Sequence, residues 1–435
     1  MRTNKQLAPL WLRVGLGVCL SAWLLSGNVA TAEELTLAAA TKKTLSQNPS
    51  LNVYKLQDQA VQARRETAAL RPAFDLGIEV ENFAGAKAAQ GFDEADITVS
   101  LSSVIELGSK RSARIAVMDS NSGVLRIELQ AKALDVLGAM TSQFVSTLAL
   151  KEQRSLVQQA LVLANRTTTT VQERVNAGVA PDAELLRAKA LESQTKISAE
   201  RIDRQLDIAV VGLSTYWGGR DQLHYELQGD LFNFGEERKF TELWELVVAS
   251  PVVRTFASQE RLRDAEFRLA ESKNQLDIRW SLGIRRLEGL NDNALVGSLE
   301  FPLNSRRRNR SEIAAVRAER AEVGVRREQA LNQLYARLFD AYATRSQSIK
   351  AVNVLANETI PDLTKALEET QTAFETGLYS YLELIAAQRA LIEAKQTYIA
   401  TAASALQAAV IIEQLTGISL QPGTDADQVL RGTFK

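Results

Sequence analysis

The sequence predicts a mainly α protein with a transmembrane β component, built as a tandem repeat of long helices and two β-hairpins. Three observations carry that expectation: a scarcity of proline, four period-two segments set between long helical tracts, and a duplicated order of elements. Proline accounts for 8 of 435 residues, where average usage would give about 22. None lies between Pro72 and Pro181, and only Pro251 and Pro302 lie between Pro181 and Pro361. Proline removes a helical donor and clashes with the preceding turn, so its absence permits helices well beyond the usual three or four turns.

At the N-terminus, Arg2, Lys5 and Arg13 precede an apolar run from Leu16 to Leu25 that ends in Ala30-Thr31-Ala32. This is the pattern of a secretory signal peptide over 1–32, cleaved after Ala32. The run is shorter than the 18 or more residues of a helical span. Val18 before Cys19 and the apolar stretch behind it do not make a lipoprotein signal. Removing Arg2, Lys5 and Arg13 from 51 basic residues leaves 48 against 52 acidic ones, a balance that recruits no nucleic acid. One cysteine, Cys19, and one histidine, His224, exclude a disulfide framework, a Cys/His zinc site and a His-dependent nucleophile pair of the usual kind.

The first repeat, 33–220, is expected to hold a hairpin at 73–106, a long helix at 109–176 and a return helix at 182–217. In the hairpin, Phe74, Leu76, Ile78 and Val80 alternate with polar or small residues, as do Ile97, Val99 and Leu101. From Ser109 onward, Ile115, Met118, Leu125, Leu129, Val136, Met140 and Phe144 recur at mostly three-, four- or seven-residue spacing. That periodicity is coiled-coil-like. A linker at 221–247 carries His224 and the aromatic stretch Phe232, Phe234, Phe240 and Trp244, for which a structural role outweighs metal binding.

The second repeat, 248–418, holds a hairpin at 276–302, with Ile278, Trp280, Leu282 and Ile284 on one face. A long tract at 306–376 follows, which Pro361 should kink or interrupt, then a return helix at 380–416; residues 419–435 form a tail. A small half-buried sheet in a soluble protein would show the same alternation, but four strands between such long helices have little to pack on. Spanning barrels start at about eight strands. Strands that cross a membrane here therefore require several chains for one barrel.

The duplication is visible joint by joint. Asn48-Pro49 corresponds to Ser250-Pro251, and Ile105-Glu106-Leu107-Gly108-Ser109-Lys110-Arg111 corresponds to Phe301-Pro302-Leu303-Asn304-Ser305-Arg306-Arg307. The long helices end at Asn176-Ala177-Gly178-Val179 and Glu375-Thr376-Gly377-Leu378. Glu184-Leu185 and Glu383-Leu384 open the return helices, which end at Gly218 and Gly417.

With this order of elements the chain resembles the TolC-like outer-membrane factor family, over about Leu35 to Gly417. Its Glu106–Arg111 motif and Phe301-Pro302-Leu303 look like the heavy-metal efflux subgroup of the cobalt–zinc–cadmium type. The resemblance implies a homotrimer in which four strands per chain form a 12-stranded barrel in the outer membrane of a Gram-negative cell, in contact with outer-membrane lipid. The helices would form a periplasmic α-helical tunnel. It further implies a periplasmic adaptor (membrane fusion) protein and an inner-membrane RND transporter as partners, a passive exit duct rather than an enzyme, and no cofactor.

Under that resemblance the adaptor-contacting tips are Ala177, Gly178 and Val179 with Thr376, Gly377 and Leu378; the local alternative is that both glycines only provide left-handed helix caps. Glu383 and Glu184 are candidates for a pore constriction, where threefold symmetry would make rings of three carboxylates. The alternative is a solvated face or a pair with Arg187 or Arg389. The run Arg306-Arg307-Arg308-Asn309-Arg310 is expected at the inner membrane surface or the barrel–tunnel junction. Competing functions are a duct for multidrug efflux or type I secretion, and a periplasmic coiled-coil adaptor or scaffold.

Overall fold

The longest element of the computed structural model is a helix of 67 residues, α3 (Lys110–Asn176). At 1.5 Å per residue it extends about 100 Å. The structure describes residues 33–83, 94–220, 225–303 and 305–420. The expected signal peptide with Cys19, the tip of the first hairpin, His224, Asn304 and the tail from 421 lie outside the described residues.

In chain order the elements are β1 (Glu33–Thr36), α1 (Leu37–Gln47), α2 (Pro49–Ala69), β2 (Asp75–Glu81), β3 (Asp96–Ile105), α3, α4 (Asp182–Ser214), β4 (Tyr225–Gln228), α5 (Phe240–Ala249), α6 (Pro251–Ser272), β5 (Ile278–Leu287), β6 (Asp292–Glu300), α7 (Ser305–Val354), α8 (Ile360–Glu375) and α9 (Tyr381–Thr416). Pro49 and Pro251 each occupy the first turn of a helix, where the missing N–H costs nothing. The boundary expected at 247 falls inside α5, because a short helix precedes Ser250-Pro251 just as α1 precedes Asn48-Pro49.

α3 lies against α2, α4, α6 and α9, while α7 lies against α6 and α9. Apolar clusters recur along this length. Near the middle, Leu35, Leu45, Leu51, Met140, Phe144, Leu213, Trp217 and Leu227 form one of them. The aromatic linker supplies others: Phe232 stacks on Tyr398 at 4.4 Å, and Phe240 meets Tyr335, Phe339 and Tyr342 edge-on. β1 and β4 pair in parallel there, with Leu35 opposite Leu227. α3 and α9 both carry stretches apolar enough to cross a membrane by composition, but more than half of each stretch is buried inside the protein. Their apolarity belongs to helix packing.

Pro361 does not break the second tract. A five-residue π turn, Leu355–Thr359, joins α7 to α8 immediately before it. Widening the ladder there accommodates the ring and lets the helical path continue.

The two hairpins form a single antiparallel sheet in the order β2-β3-β5-β6. The register aligns Ile78, Val99, Ile284 and Leu295 across all four strands, and Leu76, Leu101 and Leu282 in the next row. These side chains share one face, and all of them are exposed. The opposite face carries Glu79, Glu81, Thr98, Ser100 and Arg285, with Arg285 Nη2 2.8 Å from Glu81 Oε2.

Candidate functional site

Two ends of the molecule concentrate the functional candidates. At the far end of the helices, α3 and α8 stop in the same way. Gly178 (φ 73°) and Gly377 (φ 82°) are left-handed. The amide of Gly178 donates to the Val175 carbonyl at 2.9 Å and that of Val179 to the Arg174 carbonyl at 2.9 Å. Gly377 and Leu378 repeat the pattern onto Phe374 at 3.0 Å and Ala373 at 2.8 Å. Both ends are Schellman caps, which satisfy carbonyls that the helix leaves unpaired.

The residue after such a glycine commonly packs back onto the helix. Here Val179 is 65% and Leu378 78% exposed, so the cap gains no burial from them. Ala177, Gly178, Thr376 and Gly377 are exposed as well. A Cβ on either glycine would meet nothing within 4 Å. Backbone conformation, rather than space, selects glycine at both points.

The two tips belong to one packed unit. Val171, Leu185, Phe374, Tyr381, Leu384 and Ile385 bury one another behind them. Arg174 bridges the hairpins: its Nη1 donates to the Phe374 carbonyl at 2.6 Å, and its guanidinium lies 4.5 Å over the Phe374 ring.

Glu184 and Glu383 occupy the same place in the two return helices, the third helical residue of α4 and α9. Negative charge is favoured there by the helix dipole. Glu383 also closes a capping box. Its Oε2 accepts from the Ser380 amide at 2.7 Å and the Ser380 hydroxyl at 2.9 Å, while its own amide donates to Ser380 Oγ at 3.4 Å. These donors, the amide first, hold the exposed Glu383 carboxyl below the usual carboxylate range. The signal was the Ser380-Tyr381-Leu382-Glu383 spacing, which marks a helix start as much as a pore. Glu184 has no such cap, since Pro181 precedes α4. Neither glutamate forms an ion pair with Arg187 or Arg389 among the described residues. Both arginines and Glu184 lie close enough to Tyr381 to influence it, although burial chiefly raises that phenol.

At the opposite end, the Glu106–Arg111 motif fastens the sheet to the helices. Gly108 and Ser109 both take positive φ, 79° and 61°, turning the chain sharply from β3 into α3. Lys110 is buried; its Nζ donates to the Gln275 carbonyl at 3.0 Å and pairs with Asp277 at 2.6 Å. Arg114 forms a fork with Glu106, Nη2 to Oε2 at 2.9 Å, and its Nε reaches the Ala68 carbonyl at 3.4 Å. Arg111 Nε donates to the Ala69 carbonyl. Two cations thus sit on the C-terminal carbonyls of α2, where the helix dipole favours them.

Among the described residues, no group of three or more His, Cys, Asp or Glu is placed to hold a metal ion.

The family model described as outer membrane efflux protein matches the chain twice, at residues 40–219 and 245–418. The cobalt-zinc-cadmium resistance protein CzcC of Cupriavidus metallidurans is 26% identical over 324 residues, covering 74% of this chain and 77% of the relative. The nickel-cobalt-cadmium resistance protein NccC of Alcaligenes xylosoxydans xylosoxydans is 24% identical, covering 74% and 73%. Among solved structures, CusC, described as undergoing changes that accompany folding and transmembrane channel formation, superposes with a TM-score of 0.74 at 15% identity over 94% of this chain and 99% of its own. The outer membrane protein VceC of Vibrio cholerae superposes with a TM-score of 0.69 at 16% identity, covering 88% and 97%.

Proposed function

This chain belongs to the outer membrane efflux protein family, and from that premise we propose that it is the trimeric outer-membrane exit duct of an RND-type tripartite system that expels heavy-metal cations. The observation that carries the reading is the open sheet. β2 and β6 end it with edges unpaired among the described residues, and one face exposes Phe74, Leu76, Ile78, Leu282, Ile284 and Leu295. An exposed apolar face with two free edges is an aggregation hazard in water. Three copies joined β2 to β6 close twelve strands, and a bilayer then covers the apolar face.

The chain does no chemistry in this reading; an inner-membrane transporter supplies the energy through an adaptor. Val179 and Leu378, raised on rigid caps and left uncovered, support adaptor contact at the tips together with Ala177, Gly178, Thr376 and Gly377. Glu383, and with it Glu184, would form rings of three carboxylates where the tunnel narrows. Within one chain the Ser380 donors lower the Glu383 carboxyl and so favour its charged form. Metal cargo is supported by the names of CzcC and NccC, and the proposed route is export with 1–32 removed.

Membrane fractionation tests the architecture: the expected product is a trimer in the outer membrane, and a periplasmic monomer would refute it. Deleting the gene tests the cargo. Tolerance to cobalt, zinc, cadmium or nickel should fall, and loss of organic-drug tolerance alone would overturn the metal assignment. Glu383→Gln should lower the cation selectivity of the reconstituted pore; unchanged selectivity removes Glu383 from the constriction.

A further inference from the structure

Repeat symmetry exposes one cluster of charge that the fold does not use. In the first half the cations after the hairpin are consumed internally: Lys110 by Asp277 and Gln275, Arg111 and Arg114 by the end of α2 and Glu106. In the second half Asn309 does the corresponding work. It is buried, and its Nδ2 donates to the Ala270 carbonyl at the end of α6 and to Asn274 Oδ1 at 3.0 Å. Arg306, Arg307, Arg308 and Arg310 are left exposed, and none forms an ion pair among the described residues.

Four acids of this region are already engaged, and Glu300 lies 3.8 Å from Arg279. Glu106 pairs with Arg114, Asp277 with Lys110, Glu312 with Lys273, and Glu319 with Arg263. The four arginines also stand in the first two turns of α7, where the helix dipole disfavours positive charge. Their position is therefore unfavourable within the chain and calls for an anionic partner outside it.

The surroundings indicate which one. On the strand side of the cluster lie Phe301 and Leu303, both exposed. Beside them Phe74 packs edge-on against Trp280 at 6.3 Å, at the same end of the sheet. Aromatic residues at the rim of an apolar band, followed by cations, reproduce the order of a membrane interface, from acyl chains to phosphates. At 100° per residue Arg306, Arg307 and Arg310 fall within an arc of about 100°, while Asn309 faces α6. Arginine suits this place because its planar fork binds phosphate oxygens bidentately.

We propose that Arg306, Arg307, Arg308 and Arg310 bind the phosphates of anionic phospholipid headgroups in the periplasm-facing leaflet, and so set how deeply the sheet sits in the membrane. This rests on the membrane-spanning reading of the sheet. The test uses the full chain, purified as a trimer and mixed with vesicles of phosphatidylcholine alone or with 30% phosphatidylglycerol. At low salt each arginine near an anionic surface is worth roughly fivefold in binding. The native protein should therefore prefer the anionic vesicles, and Arg306→Gln/Arg307→Gln/Arg308→Gln/Arg310→Gln should lose at least about tenfold of that preference. A fourfold Arg→Lys variant should keep most of it. Arg327→Gln, roughly 25–30 Å further along α7, should keep all of it.

Equal preference in the native and glutamine proteins overturns the proposal. So does collapse of the glutamine variant to monomers in lipid-free detergent, which would mean that a neighbouring copy holds these arginines. If the native protein enters neither kind of vesicle, the spanning reading itself fails.

Discussion

Gly283 stands at the seam between the two hairpins, opposite Ser100 in the β3–β5 register. A Cβ built on it would lie 2.7 Å from the Val99 carbonyl oxygen, 2.9 Å from Ser100 Cβ and 3.0 Å from Ser100 Cα. Two of the three obstacles are backbone and the third is attached directly to it, so no rotamer change clears them. Restoring ordinary contact requires β3 and β5 to part by roughly 0.7 Å, since carbon contacts are optimal near 3.5–4.0 Å. That shift carries ladder bonds of about 2.9 Å beyond hydrogen-bonding length.

Gly283→Ala should consequently cost about 1–3 kcal/mol, the range for overpacking a site that cannot give way. Gly297 is the matched control, because its Cβ would meet nothing closer than 3.7 Å; Gly297→Ala should cost under about 0.5 kcal/mol. Gly77 is intermediate, since its nearest obstacle at 3.0 Å is the Ser100 hydroxyl, which can rotate or be removed by Ser100→Ala. Urea unfolding of the vesicle-inserted protein, followed by tryptophan fluorescence, reads all three. Equal midpoints for Gly283→Ala and Gly297→Ala would refute the register that joins the hairpins.

Lys110→Met removes the cation beside Asp277, leaving it the Leu107 amide at 3.3 Å, and takes the donor from the Gln275 carbonyl; with Asp277 partly solvated, the loss should be about 1–3 kcal/mol in thermal unfolding. Arg345 is buried and its Nη2 donates to the Phe234 and Glu236 carbonyls at 2.7 and 2.9 Å, so Arg345→Leu should cost about 1–3 kcal/mol and loosen the linker to proteolysis. Ser380→Ala should cost about 1 kcal/mol and speed amide exchange in the first turn of α9 but not of α4. The Glu383 carboxyl is depressed in the folded protein, so its stabilisation is complete above the ordinary carboxylate pKa and is lost as pH falls through the folded value. Exchange at the start of α9 should be insensitive to protonation from pH 7 to about 5, rise under stronger acid, and lose that acid response in Glu383→Gln.

Much of the architecture could be read from the sequence because both halves put similar residues at similar joints. Pro49 and Pro251 start helices, Gly178 and Gly377 end them, and Gly218 and Gly417 close the return helices in the same left-handed conformation. The strands were legible where alternation persisted for several residues. β1 and β4 were not, because four residues of each are too few for a period and their pairing spans most of the first repeat. Pro361 announced an interruption without announcing its form; a π turn keeps the helical path where a break was equally compatible with the sequence. At the tips, the glycine chemistry was legible, but the capping box was hidden by the attraction of a carboxylate near a pore.

Where the halves differ, the difference follows the work each joint must do alone. Asn48 caps α2 and ties it to the end of the first return helix, its Oδ1 accepting from the Ser50 amide at 2.9 Å and its Nδ2 donating to the Tyr216 carbonyl at 2.8 Å. Ser250, its counterpart, makes no side-chain cap bond and buries its hydroxyl without a partner among the described residues. A similar exchange occurs at the junction, where the task that Arg111 and Arg114 perform at the end of α2 falls to neutral Asn309 at the end of α6. An amide can satisfy a helix end without bringing in charge, so the second half can present its arginines outward, while the first half uses its cations to tie the shared sheet to the ends of α2 and α6. At the tips no such exchange has occurred, and the same glycine geometry is kept twice. One duplicated unit can therefore offer two alike surfaces at one end and two unlike ones at the other, as a duct joining a repeated partner to a lipid boundary would require.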